Sequence, residues 1–194
     1  MMNRLVDIHT HRPCDGVLCP TFEGVHPWHA PGAQIDHKAI AAADMVGETG
    51  LDYAADVDRK AQESIFRSQL SIAATLRKPV VIHCVRAFEP VMKILSEYRL
   101  AAVVMHGFTG SPEQAARALD RGYMLSFGMR TFSSPKTLRA LHATPLDRMF
   151  CETDDFPTPI GEVYRRIAAE LGITPEALAG QLYTNYLKLF DKDE

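Results

Sequence analysis

The sequence has no apolar run of the roughly 18 residues that a transmembrane helix requires, so no segment of it is expected to span a membrane. Its first residues, MMNRLVDIHTH, turn polar too soon for the apolar core of a signal peptide. It also lacks an excess of charge of either sign: 21 Lys and Arg against 24 Asp and Glu leave a net charge of −3. That balance excludes a generally basic, nucleic-acid-coating protein, although a local basic pocket survives the average. Cysteine is sparse, with four in 194 residues, and Cys84 and Cys151 lie inside apolar runs. The thiols are therefore read as reduced rather than as a disulfide framework, and a cytoplasmic setting is expected. No fixed-period repeat, low-complexity tract or Gly/Ser linker interrupts the chain, so residues 1–194 are read as a single domain.

What remains is an ordinary globular composition, 46% hydrophobic and 23% charged, in a chain long enough to bury about 70% of the surface its unfolded form exposes. Short apolar runs predict strands over residues 4–9, 44–48, 79–83, 101–106, 123–127 and 148–152, with a further extended piece in 17–26. Amphipathic segments predict helices between them, over 58–77, 89–98, from Ser111 to about Arg121, after Ser134-Pro135, over about 160–171 and after Thr174-Pro175. Ser111, Pro112 and Gln114 form an N-cap, an N1 proline and a capping-box partner, and Gly172 is a natural helix stop. This alternation means an α/β fold with a parallel sheet, either open and doubly wound or closed into a barrel.

The polar residues favour closure. His9, Glu48, His83, His106 and Asp154 each fall at or just past the end of a predicted strand, and His11 shares a strand face with His9. Side chains from five strand ends converge on one point only if the sheet curves around it, as in a (β/α) barrel, whose active site lies at the C-terminal face. Each piece alone has a plainer reading: a hydrogen-bonded histidine, a carboxylate in a turn, a solvated acidic loop. Together they supply six ligands of a mixed imidazole/carboxylate set suited to borderline divalent ions. A catalytic metal usually takes about three protein ligands, so the excess is resolved by two ions sharing a carboxylate.

Six ordered blocks then resemble one family. Asp7-Ile8-His9-Thr10-His11, Gly24-Val25-His26-Pro27-Trp28, Gly47-Glu48-Thr49-Gly50-Leu51-Asp52, Pro79-Val80-Val81-Ile82-His83, His106-Gly107-Phe108-Thr109-Gly110 and Glu152-Thr153-Asp154 are similar to the signature blocks of TatD-type metal-dependent hydrolases, in a short subgroup. Asn185 to Phe190 is similar to the family's closing helix. The resemblance implies a TIM-type barrel and a two-metal phosphodiesterase or deoxyribonuclease. It implies one ion on His9, His11 and Asp154 and a second on His83 and His106, with Glu48 shared between them. His26 falls at a phosphate-contacting position. The family's strand-five Arg slot is Val85 here, and Arg86 beside it is the phosphate contact expected in its place.

The expected chemistry uses two divalent ions (Zn²⁺, Mn²⁺, Mg²⁺ or Co²⁺) and a metal-bridging water, with Asp154 taking its proton and Glu48 holding both ions. Ligand imidazoles must be neutral, so activity is expected to fall below about pH 6.5. The expected substrate is a small phosphoester or a nucleic-acid end, with no membrane and no obligate protein partner. Related barrels hydrolyse amides, lactones and phosphomonoesters with similar ligands, which is the first alternative. A non-catalytic metal- or nucleotide-binding protein is the second.

Length sharpens the fold. A full barrel takes about 250 residues, and only residues 12–23 separate His11 from the Gly24 block, where a strand–helix–strand unit needs about 30. A barrel shortened by about one βα unit, seven-stranded or distorted, is therefore expected.

Overall fold

The structure, a computed structural model, describes residues 4–190. They form two compact units. The first is Thr21–Met105; the second takes the described residues before Thr21 and after Met105.

In the Thr21–Met105 unit, four parallel strands lie in chain order: β1 (Phe22–Glu23), β2 (Met45–Asp52), β3 (Val80–Val85) and β4 (Val103–Met105). Helices α1 (His37–Ala42), α2 (Arg59–Leu76) and α3 (Phe88–Leu95) connect them. Asp36 and Asp58 cap α1 and α2 by accepting hydrogen bonds from first-turn amides. Along α2, Phe66, Leu70 and Ala73 form a fully buried stripe at helical spacing. On the strands, Val46, Leu51, Val80, Val81 and Ile82 are equally buried, and each large apolar side chain so removed from water contributes roughly 1.5–3 kcal/mol.

The second unit carries β5 (Met124–Phe127) and β6 (Met149–Cys151), paired in parallel, with α4 (Pro112–Leu119), α5 (Pro135–Ala143), α6 (Ile160–Leu171) and α7 (Pro175–Phe190). The capping box of Ser111 and Gln114 is formed, and α6 ends at Gly172 in the left-handed conformation. Asn185 of α7 donates to the carbonyls of Leu146 (2.8 Å) and Met149 (2.9 Å), so the closing helix holds the entry of β6.

The first segment differs from expectation. In place of the strand expected over residues 4–9, residues 4–10 make isolated parallel bridges, Val6 to Leu18 and Thr10 to Asp154. The extended piece expected in 17–26 contracts to the two residues of β1. The cause is visible in the hydrogen bonds. Asp7 donates its amide to Leu18 on one side, while on the other Ile8 donates to Cys151 and Asp154 to His9. With no intervening helix of its own, the chain turns back within a dozen residues and cannot sustain a longer ladder. Six regular strands are thus present among the described residues, and no helix among them is long and apolar enough to cross a membrane.

Candidate metal centre

In the second unit the irregular segment and β6 run side by side. The His9 carbonyl accepts the Asp154 amide at 3.0 Å, and the Asp154 carbonyl accepts the His11 amide at 3.0 Å. This register delivers three side chains to one place. Nε2 of His9 and Nε2 of His11 each lie 3.7 Å from Oδ1 of Asp154. The ligand atoms of His9, His11 and Asp154 all fall within 4.8 Å of one another. Two metal–ligand bonds of about 2.1 Å are long enough to span the 3.7 Å from either imidazole to Asp154 Oδ1. His106 and Glu152 adjoin this set: the His106 ring stands 4.2 Å from that of His9, and its Nδ1 is 3.6 Å from Glu152 Oε1. His106, Glu152 and Asp154 form a second donor group of the same compactness.

Asp7 anchors the register. Its carboxyl accepts the amide (2.9 Å) and hydroxyl (2.6 Å) of Thr153, the residue before Asp154. Burial raises its pKa to about 7, against the lowering effect of those two hydrogen bonds. Burial also pushes Glu152 up, but the His106 imidazole, His9 and the Ser126 hydroxyl outweigh it, and the net shift is downward.

In the Thr21–Met105 unit the geometry is set by a bulge. Val46 pairs with Val80 but Thr49 with Ile82, so β2 spends one residue more than β3 between these points. Glu48 therefore lies inside β2, not at its end as the sequence predicts. Gly47 and Gly50 make this possible. Both have φ near +145° (142° and 146°). A Cβ on Gly50 would stand 2.0 Å from the His83 carbonyl oxygen, and one on Gly47 2.5 Å from Val81. Gly50 thus lies not in a turn but within β2, paired with His83, where the partner strand leaves no room for a Cβ.

With β2 so placed, Glu48 and Asp52 flank His83 of β3. Glu48 Oε1 is 2.5 Å from His83 Nδ1, and Asp52 Oδ2 is 3.2 Å from His83 Nε2. Burial pushes the Asp52 carboxyl up, but hydrogen bonds from the Trp28 indole (2.7 Å), the Ala54 amide and His83 outweigh it. The net shift is downward, so Asp52 is an ionised acceptor and His83 Nε2 must donate to it. His83 Nδ1 then presents a lone pair towards Glu48. Two acceptors 2.5 Å apart share a proton, and a divalent ion held by these two atoms would replace it.

His26 completes the group. Its Nδ1 accepts the Trp28 amide at 3.2 Å, leaving Nε2 directed at Glu48 Oε1 (3.4 Å) and His83 Nδ1 (3.3 Å). His26, Glu48 and His83 form another donor set within 4.8 Å.

Two buried glutamines on one face of α2 hold this arrangement. Gln62 exchanges hydrogen bonds with the backbone of Asp52 (2.8 and 3.0 Å). Gln69 does so with Val25 beside His26 (2.6 and 3.1 Å) and also donates to Thr49 at 2.6 Å.

Sequence reasoning assigned no role to Asp7, Asp52, Gln62, Gln69, Trp28 or Glu152. The available signal was two glutamines seven residues apart on an apolar helix face, and acidic residues inside otherwise apolar strands. Arg86 is exposed, just beyond β3, with φ of 51°. His37 opens α1 on the surface, His29 ends a short 3-10 turn, and exposed His142 pairs with Glu170 at 2.8 Å. Cys84 beside His83 is kept from acting as a nucleophile: burial pushes its thiol up to about 12.

The pattern has relatives. A sequence model of the TatD related DNase family matches residues 10–191. An uncharacterized metal-dependent hydrolase of Escherichia coli strain K12, YcfH, is 33% identical over 193 residues, spanning 88% of this chain and 73% of the relative. The 3'-5' ssDNA/RNA exonuclease TatD of Pantoea ananatis is 31% identical over 204 residues, spanning 89% and 78%. The crystal structure of YJJV, a TatD homolog from Escherichia coli K12, matches with a TM-score of 0.86 over 98% of this chain and 99% of that one. At 21% identity this last likeness speaks for the fold alone, and it agrees with an α/β chain of the shortened TIM-barrel type. From a match over residues 10–191 and the YcfH likeness, the chain belongs to the TatD-related DNase family of metal-dependent hydrolases.

Proposed function

We propose that this hydrolase is a two-metal phosphodiesterase that cleaves at a nucleic-acid end or in a small phosphodiester. The observation that carries the proposal is the convergence of His9 and His11 on one oxygen of Asp154, at 3.7 Å each. The mixed imidazole/carboxylate donors fit Zn²⁺, Mn²⁺ or Co²⁺ better than an all-oxygen site would, and Mg²⁺ remains an arm of the test. His9, His11 and Asp154 are assigned to one ion. The assignment of His83 and His106 to a second, with Glu48 shared, rests on the sequence blocks. Residues 1–194 are read as one hydrolase domain, because the six sequence blocks run along nearly the whole chain.

When bound, the ions supply Lewis acidity, which acidifies water and neutralises charge on the phosphoryl oxygens. The chain's own groups do the rest. Asp154 Oδ1 orients the attacking water and accepts its proton. His26, whose Nδ1 is already engaged by Trp28, offers Nε2 to a non-reacting phosphate oxygen. Arg86 is a second phosphate contact from the exposed end of β3. The P. ananatis relative named a 3'-5' ssDNA/RNA exonuclease supplies the substrate class. The net charge of −3 favours a strand end over a long duplex, which calls for a basic stripe. Cys14, Cys19, Cys84 and Cys151 are all free, in keeping with a reducing, cytoplasmic setting.

The test is a chelator-stripped protein reloaded with Mn²⁺, Zn²⁺, Co²⁺ or Mg²⁺ and assayed on single-stranded oligonucleotide, a chromogenic diester, a phosphomonoester, an amide and a lactone. Metal-dependent turnover of the two diesters supports the proposal. Turnover of only the amide, lactone or monoester overturns it, as does turnover of none.

A further inference from the structure

Beside Asp154, within the second unit, a shallow cleft opens to solvent. Its walls include Glu152, Asp154, Met129, Phe156, the bare backbone of Gly128, and Arg130, the one cation lining it among the described residues. An anionic group entering a cleft floored by two carboxylates needs a compensating positive charge on the wall. Arg130 is placed to give it. It sits in the 3-10 turn Met129–Ser133 that follows β5, and its guanidinium lies 5.1 Å from the centroid of the Phe156 ring. Its ion pair with Asp155 is long, at 3.6 Å, between side chains 56% and 65% exposed. Such a pair is weak and readily exchanged. Arg166, the neighbouring arginine, is engaged elsewhere, over the Phe132 ring at 4.1 Å and on the Met129 sulfur at 3.9 Å.

We propose that this cleft is a phosphate subsite in which Arg130 leaves Asp155 for two oxygens of a substrate phosphate. A guanidinium fork matches that group in a bidentate way that an ammonium does not. The inference deepens the phosphodiesterase reading and rests on it for the identity of the substrate, but binding of the anion can be measured without turnover.

The experiment uses the metal-loaded full chain as wild type, Arg130→Gln, Arg130→Lys and Asp155→Asn. It reads KM and kcat on a chromogenic phosphodiester, the inhibition constant of inorganic phosphate, metal content and Tm. A lost charge-assisted pair predicts a rise of about 10- to 100-fold in KM and in the phosphate inhibition constant for Arg130→Gln, with metal content and Tm unchanged. Arg130→Lys recovers part of the loss, and Asp155→Asn, which releases Arg130, lowers both constants. Values for Arg130→Gln within twofold of wild type, with the diester still cleaved, overturn the subsite and leave the phosphodiesterase reading standing. If the wild type cleaves no diester, phosphate binding is read by ³¹P NMR. Arg130-dependent binding then upholds the subsite while the phosphodiesterase reading fails, and Arg130-independent binding overturns the subsite as well.

Discussion

His83 donates its Nε2 hydrogen to Asp52 Oδ2 across 3.2 Å, and the same carboxylate oxygen accepts the Trp28 indole at 2.7 Å. One tautomer of His83 is thereby selected, with Nδ1 turned to Glu48. Carboxylates behind metal-ligating histidines typically govern affinity by about 10–100-fold. Asp52→Asn, which can donate to Nε2 instead of accepting from it, is expected to weaken binding of one ion by that factor. A competitive chelator titration measures it. Trp28 is the only tryptophan, so its fluorescence checks that the surroundings stay folded. Unchanged affinity in a folded variant contradicts the role.

Gly50→Ala is expected to destabilise the fold by at least about 3 kcal/mol, because the added Cβ meets a strand carbonyl at 2.0 Å in a φ region that L side chains rarely adopt. Denaturant unfolding measures the loss. A cost under about 1 kcal/mol would mean that β2 and β3 do not approach each other as described.

Asp7 makes stability depend on pH in a defined direction. Its pKa is about 7 in the folded chain and near 3.9 in an unfolded one, so the native state keeps a proton that the unfolded state releases. The stability this contributes is full in acid and is lost as pH rises from about 4 through about 7. In the chelator-treated protein, Tm therefore falls from pH 5 to pH 8 more steeply for wild type than for Asp7→Asn. Equal slopes contradict the assignment.

The legible part of the molecule was what local chemistry dictates. Apolar runs marked β2 to β6, and Ser111, Pro112, Gln114 and Gly172 marked helix ends that the structure forms as expected. The short stretch between His11 and Gly24 announced a shortened barrel, but not that the strand expected over residues 4–9 would give way to single bridges. The exact course of β2 was not legible, because Thr49-Gly50 has turn composition and only the proximity of His83 explains why glycine is required there. Asp7 and Asp52 stood in the signature blocks without a role, and Gln62 and Gln69 in none, because their work is done through partners apart in sequence, 146 residues away for Asp7 and 44 for Gln69.

The most direct measurement is phosphodiester turnover by wild type and Glu48→Ala, each saturated with Mn²⁺, with bound metal counted in the same samples. Wild type is expected to carry two ions and to cleave the diester. Glu48→Ala is expected to remain folded, lose metal, and turn over at least about a hundredfold more slowly. A wild-type protein that is folded and metal-free, or a Glu48→Ala variant as active as wild type, contradicts the two-metal account.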